Sequence, residues 1–248
     1  MGSRTYRTTC IVLDKTKLKE TDLILTLLTE QGSRVQAVAK GARKPGSRLA
    51  GRCELLNTAD LLLARGRSLD IVSQAELLSA PVGVHPGYES LMAGSAIAEV
   101  AKHCCFEDAA DPFIFDITSR ALEVLGALGD QAHRDIVVAA YSFKVLAHIG
   151  YRPDYSTCVS CGDPALSYFS AQAGGLLCAS CASSVSGAEP VDDATIQWLR
   201  ALLSLRFDEL AAHEASLSQS SLLLSLCHAW AATHLDARLR SLEFLLGR

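Results

Sequence analysis

Four of the nine cysteines form two Cys-x-x-Cys pairs separated by sixteen residues, an alignment that packing alone rarely produces. Cys158-Val-Ser-Cys161 and Cys178-Ala-Ser-Cys181 are each short enough to turn two sulfurs toward one centre. The gap between them has room for a hairpin that folds one turn back over the other. Four thiolates in a tetrahedron suit Zn2+, with metal–sulfur distances of about 2.3 Å. The spacing lies within the range of zinc ribbons. With all four ligands supplied by protein, no position is left for water or substrate. The expected ion is therefore one structural zinc bound by Cys158, Cys161, Cys178 and Cys181. Iron also accepts a four-thiolate site, and a colourless protein would exclude it. Unmetallated thiols are the remaining alternative.

The other five, Cys10, Cys53, Cys104, Cys105 and Cys227, lie in apolar surroundings and read as small buried hydrophobes. A redox role for adjacent Cys104 and Cys105 needs a cationic or helix-N-terminal setting that the sequence does not offer. Met1 to Cys10 carries Arg4 and Arg7 but no apolar core or small-residue cleavage site, so no secretory signal is expected. An odd cysteine count without an export signal favours metal binding in a reducing cytoplasm over a disulfide framework. No uninterrupted apolar stretch reaches the roughly 18 residues of a membrane span.

Charge is divided unevenly. Residues 1–80 hold thirteen Lys and Arg against eight Asp and Glu, whereas residues 81–248 hold ten against nineteen. A basic part joined to an acidic part suggests a polyanion-binding module attached to something with another task. In the basic part, short runs rich in β-branched and apolar residues cover Thr8 to Leu13, Leu23 to Thr29, Arg34 to Lys40, Leu55 to Ala64 and Leu69 to Leu77. Gln31-Gly32-Ser33 is a hairpin-length turn. Five short strands in so short a segment predict a small closed barrel, because closure removes exposed sheet edges. The five-stranded barrel that commonly binds nucleic acid is the OB-fold.

Ala80 to Gly87 is a junction rich in proline and glycine, and beyond it the period changes. Helical spacing relates Val137, Tyr141, Val145 and His148, and again Ile196, Leu199, Leu203, Phe207 and Leu210. Leu223, Leu226, Cys227 and Trp230 repeat it, as do Leu235, Leu239, Leu242 and Leu246. The expected fold is α+β and multidomain. An OB-type barrel occupies residues 1–80, and a domain of roughly six helices occupies 81–248, interrupted at 153–190 by the four-cysteine module.

The run Lys40-Gly-Ala-Arg43-Lys44-Pro-Gly-Ser-Arg48 follows the third strand. Its glycines allow close backbone approach, and its cations can neutralise phosphates with strong salt dependence. Lys15, Lys17 and Lys19 are expected in the connection between strands one and two, and Arg65 and Arg67 in that between strands four and five. On an OB barrel these two connections flank the oligonucleotide groove. Three basic connections meeting at one end of the barrel would form a positive rim. Tyr6 is the only aromatic residue in the first 80, so backbone contacts with little base stacking are expected.

Taken in order, these features resemble the bacterial RecO family of recombination mediators. The likeness runs through Leu27-Leu-Thr-Glu-Gln-Gly32, Ala37-Val-Ala-Lys-Gly-Ala-Arg-Lys-Pro-Gly-Ser-Arg48, Gly66 and Gln74-Ala-Glu-Leu77. It continues to Gly150-Tyr-Arg-Pro153 and Cys158-x-x-Cys161, and it covers almost the whole chain. The resemblance implies an OB domain, a helical domain and a zinc module in a cytoplasmic, nucleoid-associated protein. It implies binding to single- and double-stranded DNA, annealing of complementary strands, and work with RecR to load RecA on DNA coated by single-strand-binding protein. In the family, contacts with single-strand-binding protein are attributed to the helical domain, but no short motif here identifies the residues. The acidic charge of this helical half argues against a DNA path extending far across it.

An enzyme, such as a zinc-containing nuclease or hydrolase with an unrecognised site, is the alternative class. The chain has no His-Glu-x-x-His, no Walker loop and no Gly-x-Ser-x-Gly elbow. His103, His148, His228 and His234 stand singly in helical contexts, and Asp192-Asp193 reads as a helix start. A third class, a transcriptional adaptor touching nucleic acid through the zinc module, is disfavoured by the scarcity of cations between Cys158 and Cys181.

Overall fold

Strand β1, Thr5–Leu18, is long enough to serve two neighbours in the computed structural model, which describes residues 4–247. Its first half pairs antiparallel with β4, Thr58–Ala64, and its second half with β2, Asp22–Thr29. A register shift between Val12 and Asp14 lies where the strand changes partner, and such an irregularity bends a strand. Strands β3, Arg34–Ala39, and β5, Asp70–Ser79, close the barrel in the order β1-β2-β3-β5-β4. β3 and β5 run parallel, pairing Ala37 with Asp70 and Val38 with Ile71. This is the expected five-stranded closed barrel. Cys10, Val12, Leu25, Leu27, Ala37 and Leu61 are among the buried residues of its apolar interior. Helix α1, Arg48–Arg52, lies between β3 and β4 and packs Leu49 against that interior.

Helices α2, Tyr88–Cys104, and α3, Pro112–Ala127, share a compact unit with the barrel, and this unit ends at Ala127. Ala93, Gly94, Ala96 and Ala98 of α2 are buried, and such small side chains let a helix approach closely. α2 packs on β1 and β2. Ile11 and Leu28 pair across those strands, lie outside the interior cluster, and are nonetheless fully buried. The outer surface of the barrel is thus covered on this side. Lys102 of α2 adds an ion pair to Asp14 at 2.9 Å.

The second unit begins at Leu128. Helix α4, Gln131–His148, is buried along most of its length, as expected of a central helix. The Asp130 carboxylate accepts a hydrogen bond from the His133 N–H at 3.1 Å and so caps it. α4 packs chiefly on α8, Leu217–Leu235. Helices α6, Asp193–Ser204, and α7, Phe207–Leu210, complete its surroundings, and α9, Arg240–Leu246, lies against α8. Asp192 caps α6 by accepting from the Thr195 N–H at 2.8 Å, the helix-start role anticipated for Asp192-Asp193. Between α4 and α6 lie strands β6, Tyr168–Ser170, β7, Gly175–Leu177, and β8, Glu189–Pro190, ordered β7-β6-β8, with the short helix α5, Ala179–Ala182. Phe169 of β6 reaches Trp230 of α8, with ring centroids 6.0 Å apart, and joins the sheet to the helical core. Among the described residues, no helix is long and apolar enough to cross a membrane.

Candidate metal centre and nucleic-acid interface

The two Cys-x-x-Cys turns are brought together by β6 and β7, which pair antiparallel and fold the intervening hairpin back. Val159 donates its N–H to the Leu176 carbonyl at 3.0 Å, tying the first turn to the hairpin, and Cys178 directly follows β7. All four Sγ atoms lie within 4.8 Å of one another, and those of Cys161 and Cys178 are 3.7 Å apart. A tetrahedron with arms of about 2.3 Å has edges of about 3.8 Å, whereas a disulfide needs about 2.05 Å. The geometry therefore fits four thiolates around one ion and not a pair of disulfides. Backbone N–H groups of Cys178, Ser160 and Cys161 lower the Cys158 thiol to about 6, which favours its thiolate. Cys181 is pushed up to about 12 by hydrogen bonding with the sulfurs of Cys161 and Cys178. Four clustered sulfurs of this kind can hold a metal ion. The small apolar cluster beneath them consists of Leu177, Ala182 and partly buried neighbours such as Val159, Leu166 and Tyr168.

The other five cysteines behave as packing residues. Burial pushes Cys10, Cys104 and Cys227 up to about 12, and Cys53 and Cys105 up to about 11. Their thiolates are unavailable near neutral pH. His234 is packed between Trp230 and Tyr151, with ring centroids at 4.1 and 4.9 Å.

Two of the basic connections meet. Leu18 pairs with Asp22 and Leu23 with Ala39, so the β1–β2 turn and the loop leaving β3 share one end of the barrel. Arg43 locks them together. Its N–H donates to the Thr21 carbonyl at 2.9 Å, and its guanidinium donates to the Glu20 carbonyl at 2.8 Å and the Lys19 carbonyl at 3.4 Å. Asp22 reaches back to accept from the Gly41 N–H at 2.8 Å. Lys17, Lys19, Lys40, Arg43 and Lys44 are all exposed along this edge. Beside it, Ile24 and Val38 pair across β2 and β3 and are only half-buried, unlike Thr26 and Leu28 further along β2.

Several placements differ from the sequence-based expectation. Lys15 and Lys17 are residues of β1 and not of a connection, because the strand continues past its irregularity to Leu18. Lys15 is moreover ion-paired to Glu54. Arg65 and Arg67 do follow β4, but at the other end of β1: Ala64 pairs with Thr5, and the Arg65 N–H donates to the Arg4 carbonyl at 2.9 Å. The three connections therefore do not form one rim, since β4 runs opposite to β1 and delivers its turn where β1 begins. Arg65 lies over the Tyr6 ring at 4.8 Å, and the Tyr6 hydroxyl donates to Asp70, so the one aromatic of the barrel is occupied within it. Arg48 opens α1 and faces a separate cleft with Arg7 and Arg52. No sequence motif marks Arg7 or Arg52. The one local signal is the four-residue spacing of Arg48 and Arg52.

The family described as "Recombination protein O N terminal" matches residues 1–81, and "Recombination protein O C terminal" matches residues 85–243. A protein named "DNA repair protein RecO" from Bifidobacterium adolescentis is 37% identical over 246 residues, covering 97% of this chain and 98% of its own. Proteins of the same name from Cutibacterium acnes and Nocardioides sp. are 34% and 35% identical, each match covering 97% of this chain and 98% of the relative. With both halves matched and relatives aligned nearly end to end, the chain belongs to the RecO family of DNA repair proteins.

Proposed function

We propose that this chain is a non-enzymatic recombination mediator that grips single- and double-stranded DNA by the backbone, anneals complementary strands and, with RecR, helps load RecA onto DNA coated by single-strand-binding protein. The observation that carries the reading is the Arg43 clasp, which gathers Lys17, Lys19, Lys40 and Lys44 on one edge of an OB-type barrel. Cations on turns suit phosphates, and Tyr6, the single aromatic of the barrel, is too engaged to offer a platform for bases. Lys40, Arg43 and Lys44 are the principal phosphate contacts, with Lys17 and Lys19 beside them. Lys15 contributes less because Glu54 offsets its charge. Arg65 and Arg67 would engage a strand only if it continues to the far end of β1, and Arg48 belongs to the separate cleft.

In this reading residues 1–80 form the nucleic-acid-binding domain and residues 81–248 the helical domain that meets protein partners, with the four-cysteine module at 153–190. The bound ion is zinc, held by Cys158, Cys161, Cys178 and Cys181. It is structural, because four thiolates complete a tetrahedron. The setting is the cytoplasm, where thiols stay reduced.

An annealing assay on complementary strands coated with single-strand-binding protein, with and without RecR, tests the function. Faster annealing of intact strands and RecR-dependent RecA loading are expected. Strand cleavage in the presence of magnesium or manganese would instead mark an enzyme, and no stimulation of annealing or loading would overturn the proposal.

A further inference from the structure

The barrel carries a cleft of ≈ 780 Å³ between α1 and the outer surface of β4 and β5. The register builds its floor. Arg7 pairs with Leu62 and Leu62 with Gln74, so β1, β4 and β5 present these three side by side on the outer surface, and Asp60 pairs with Glu76 in the next row. Arg48 and Arg52 of α1 form one wall.

The charges in this cleft are not balanced alike. Arg7 donates its Nε–H to both carboxylate oxygens of Asp60, at 2.8 and 2.9 Å, and reaches Glu76 at 3.4 Å. The two acids are thus engaged by one guanidinium. Arg52 donates instead to a neutral acceptor, the Ala75 carbonyl, at 2.8 Å, which holds the side chain in place and leaves its charge uncompensated. Among the described residues Arg48 makes no ion pair. Two like charges four residues apart on a helix repel each other. An anion seated between them would relieve that repulsion and find donors already fixed, and Gln74 adds a neutral amide. Guanidinium groups match phosphate oxygens two at a time.

We propose that this cleft is a second phosphate-binding site, which takes a segment of nucleic-acid backbone independently of the Lys19–Lys44 edge. The proposal rests on the DNA-binding reading above and adds to it the place of a second strand. Annealing requires two polyanions to be held near one another, and two separate cationic sites on one barrel lower the repulsion between them. An extended acidic peptide fits less well. β5 pairs with β3 only at Asp70 and Ile71, and a peptide adding itself to the remaining edge of β5 needs the edge carbonyls, of which Arg52 already occupies that of Ala75.

The test is capture of a second, non-complementary labelled strand by full-length protein already saturated with a first. Arg48→Glu/Arg52→Glu should lower second-strand capture by about tenfold at physiological salt, the scale of two lost phosphate contacts, while first-strand affinity stays within about twofold. Glu76→Gln removes a surface acid from the cleft and should strengthen capture. It also decides the matter if the double variant does not fold. Unchanged capture in both variants would overturn the proposal, as would displacement of the second strand from this cleft by a polyglutamate peptide at equal charge concentration. Arg43→Glu/Lys44→Glu is the control that separates the two readings: if it leaves first-strand binding intact, the DNA-binding edge is wrong, whatever the cleft does.

Discussion

Arg43 donates from its guanidinium to the carbonyl of Glu20 at 2.8 Å, joining the loop after β3 to the turn after β1. The contact uses a cation to position other cations. Because the partner is a neutral carbonyl, the charge of Arg43 remains available to a phosphate while its side chain is held in place.

Replacing Arg43 and Lys44 together by glutamate should therefore weaken DNA binding for all sequences alike and flatten its salt dependence. The slope of log affinity against log salt should fall by about 2, since each phosphate contact contributes about 0.9. Fluorescence anisotropy titrations over a salt series measure this. An unchanged slope would remove the edge from the interface.

If the four-cysteine centre holds zinc as proposed, Cys161→Ser should reduce the metal bound per chain from about one equivalent to nearly none. It should also lower the melting temperature of the second unit, by about 5–10 °C for a loss of a few kcal/mol. The apolar cluster under the four sulfurs is small, so an ion held by them would supply much of what keeps the module folded. Chelation of the unmodified protein should reproduce the shift, read by metal analysis and differential scanning calorimetry.

Gly32 turns the β2–β3 hairpin at φ 79°, and a Cβ there would sit 1.7 Å from the Asp111 carbonyl oxygen. Gly46 has a similar φ of 74° but open space around it. Gly46→Ala should cost about 1–2 kcal/mol of left-handed strain, and Gly32→Ala should exceed it by about 1–3 kcal/mol, because backbone must move. Denaturant unfolding of the pair isolates the close approach.

His133 places Nδ1 2.7 Å from an Asp130 carboxylate oxygen and Nε2 2.9 Å from the His213 carbonyl oxygen. Both partners accept, so the ring is best satisfied as an imidazolium, and its pKa is raised, first by the His213 carbonyl and then by Asp130. A folded pKa above the unfolded value of about 6.5 means that this stabilisation is complete below that value. It is lost as pH rises through the folded pKa. His133→Ala should be more destabilising at about pH 6 than at about pH 8.5. Equal losses at both pH values, in unfolding curves, would show that packing alone is involved.

The four-cysteine centre, the five strands and the basic run after β3 were legible in the chain itself. Each depends on local pattern: a fixed spacing of ligands, alternation within a strand, and cations beside glycines. The family resemblance rests on the same short-range features. Helix α2 is different. Its small residues signal a close approach, but nothing local says that the helix packs on β1 and β2, where Ile11 and Leu28 are buried outside the barrel interior.

The tertiary structure alone decided which basic residues act together. The irregularity at Leu13 lets β1 continue through Lys15 and Lys17, and the opposed directions of β1 and β4 send Arg65 and Arg67 to the far end. Arg48, so near Arg43 in the chain, turns with α1 into a cleft shared with Arg7 and Arg52. Charge count and order are properties of the sequence. Adjacency across a closed barrel follows from strand direction and register, which are set by pairings between residues distant in the chain.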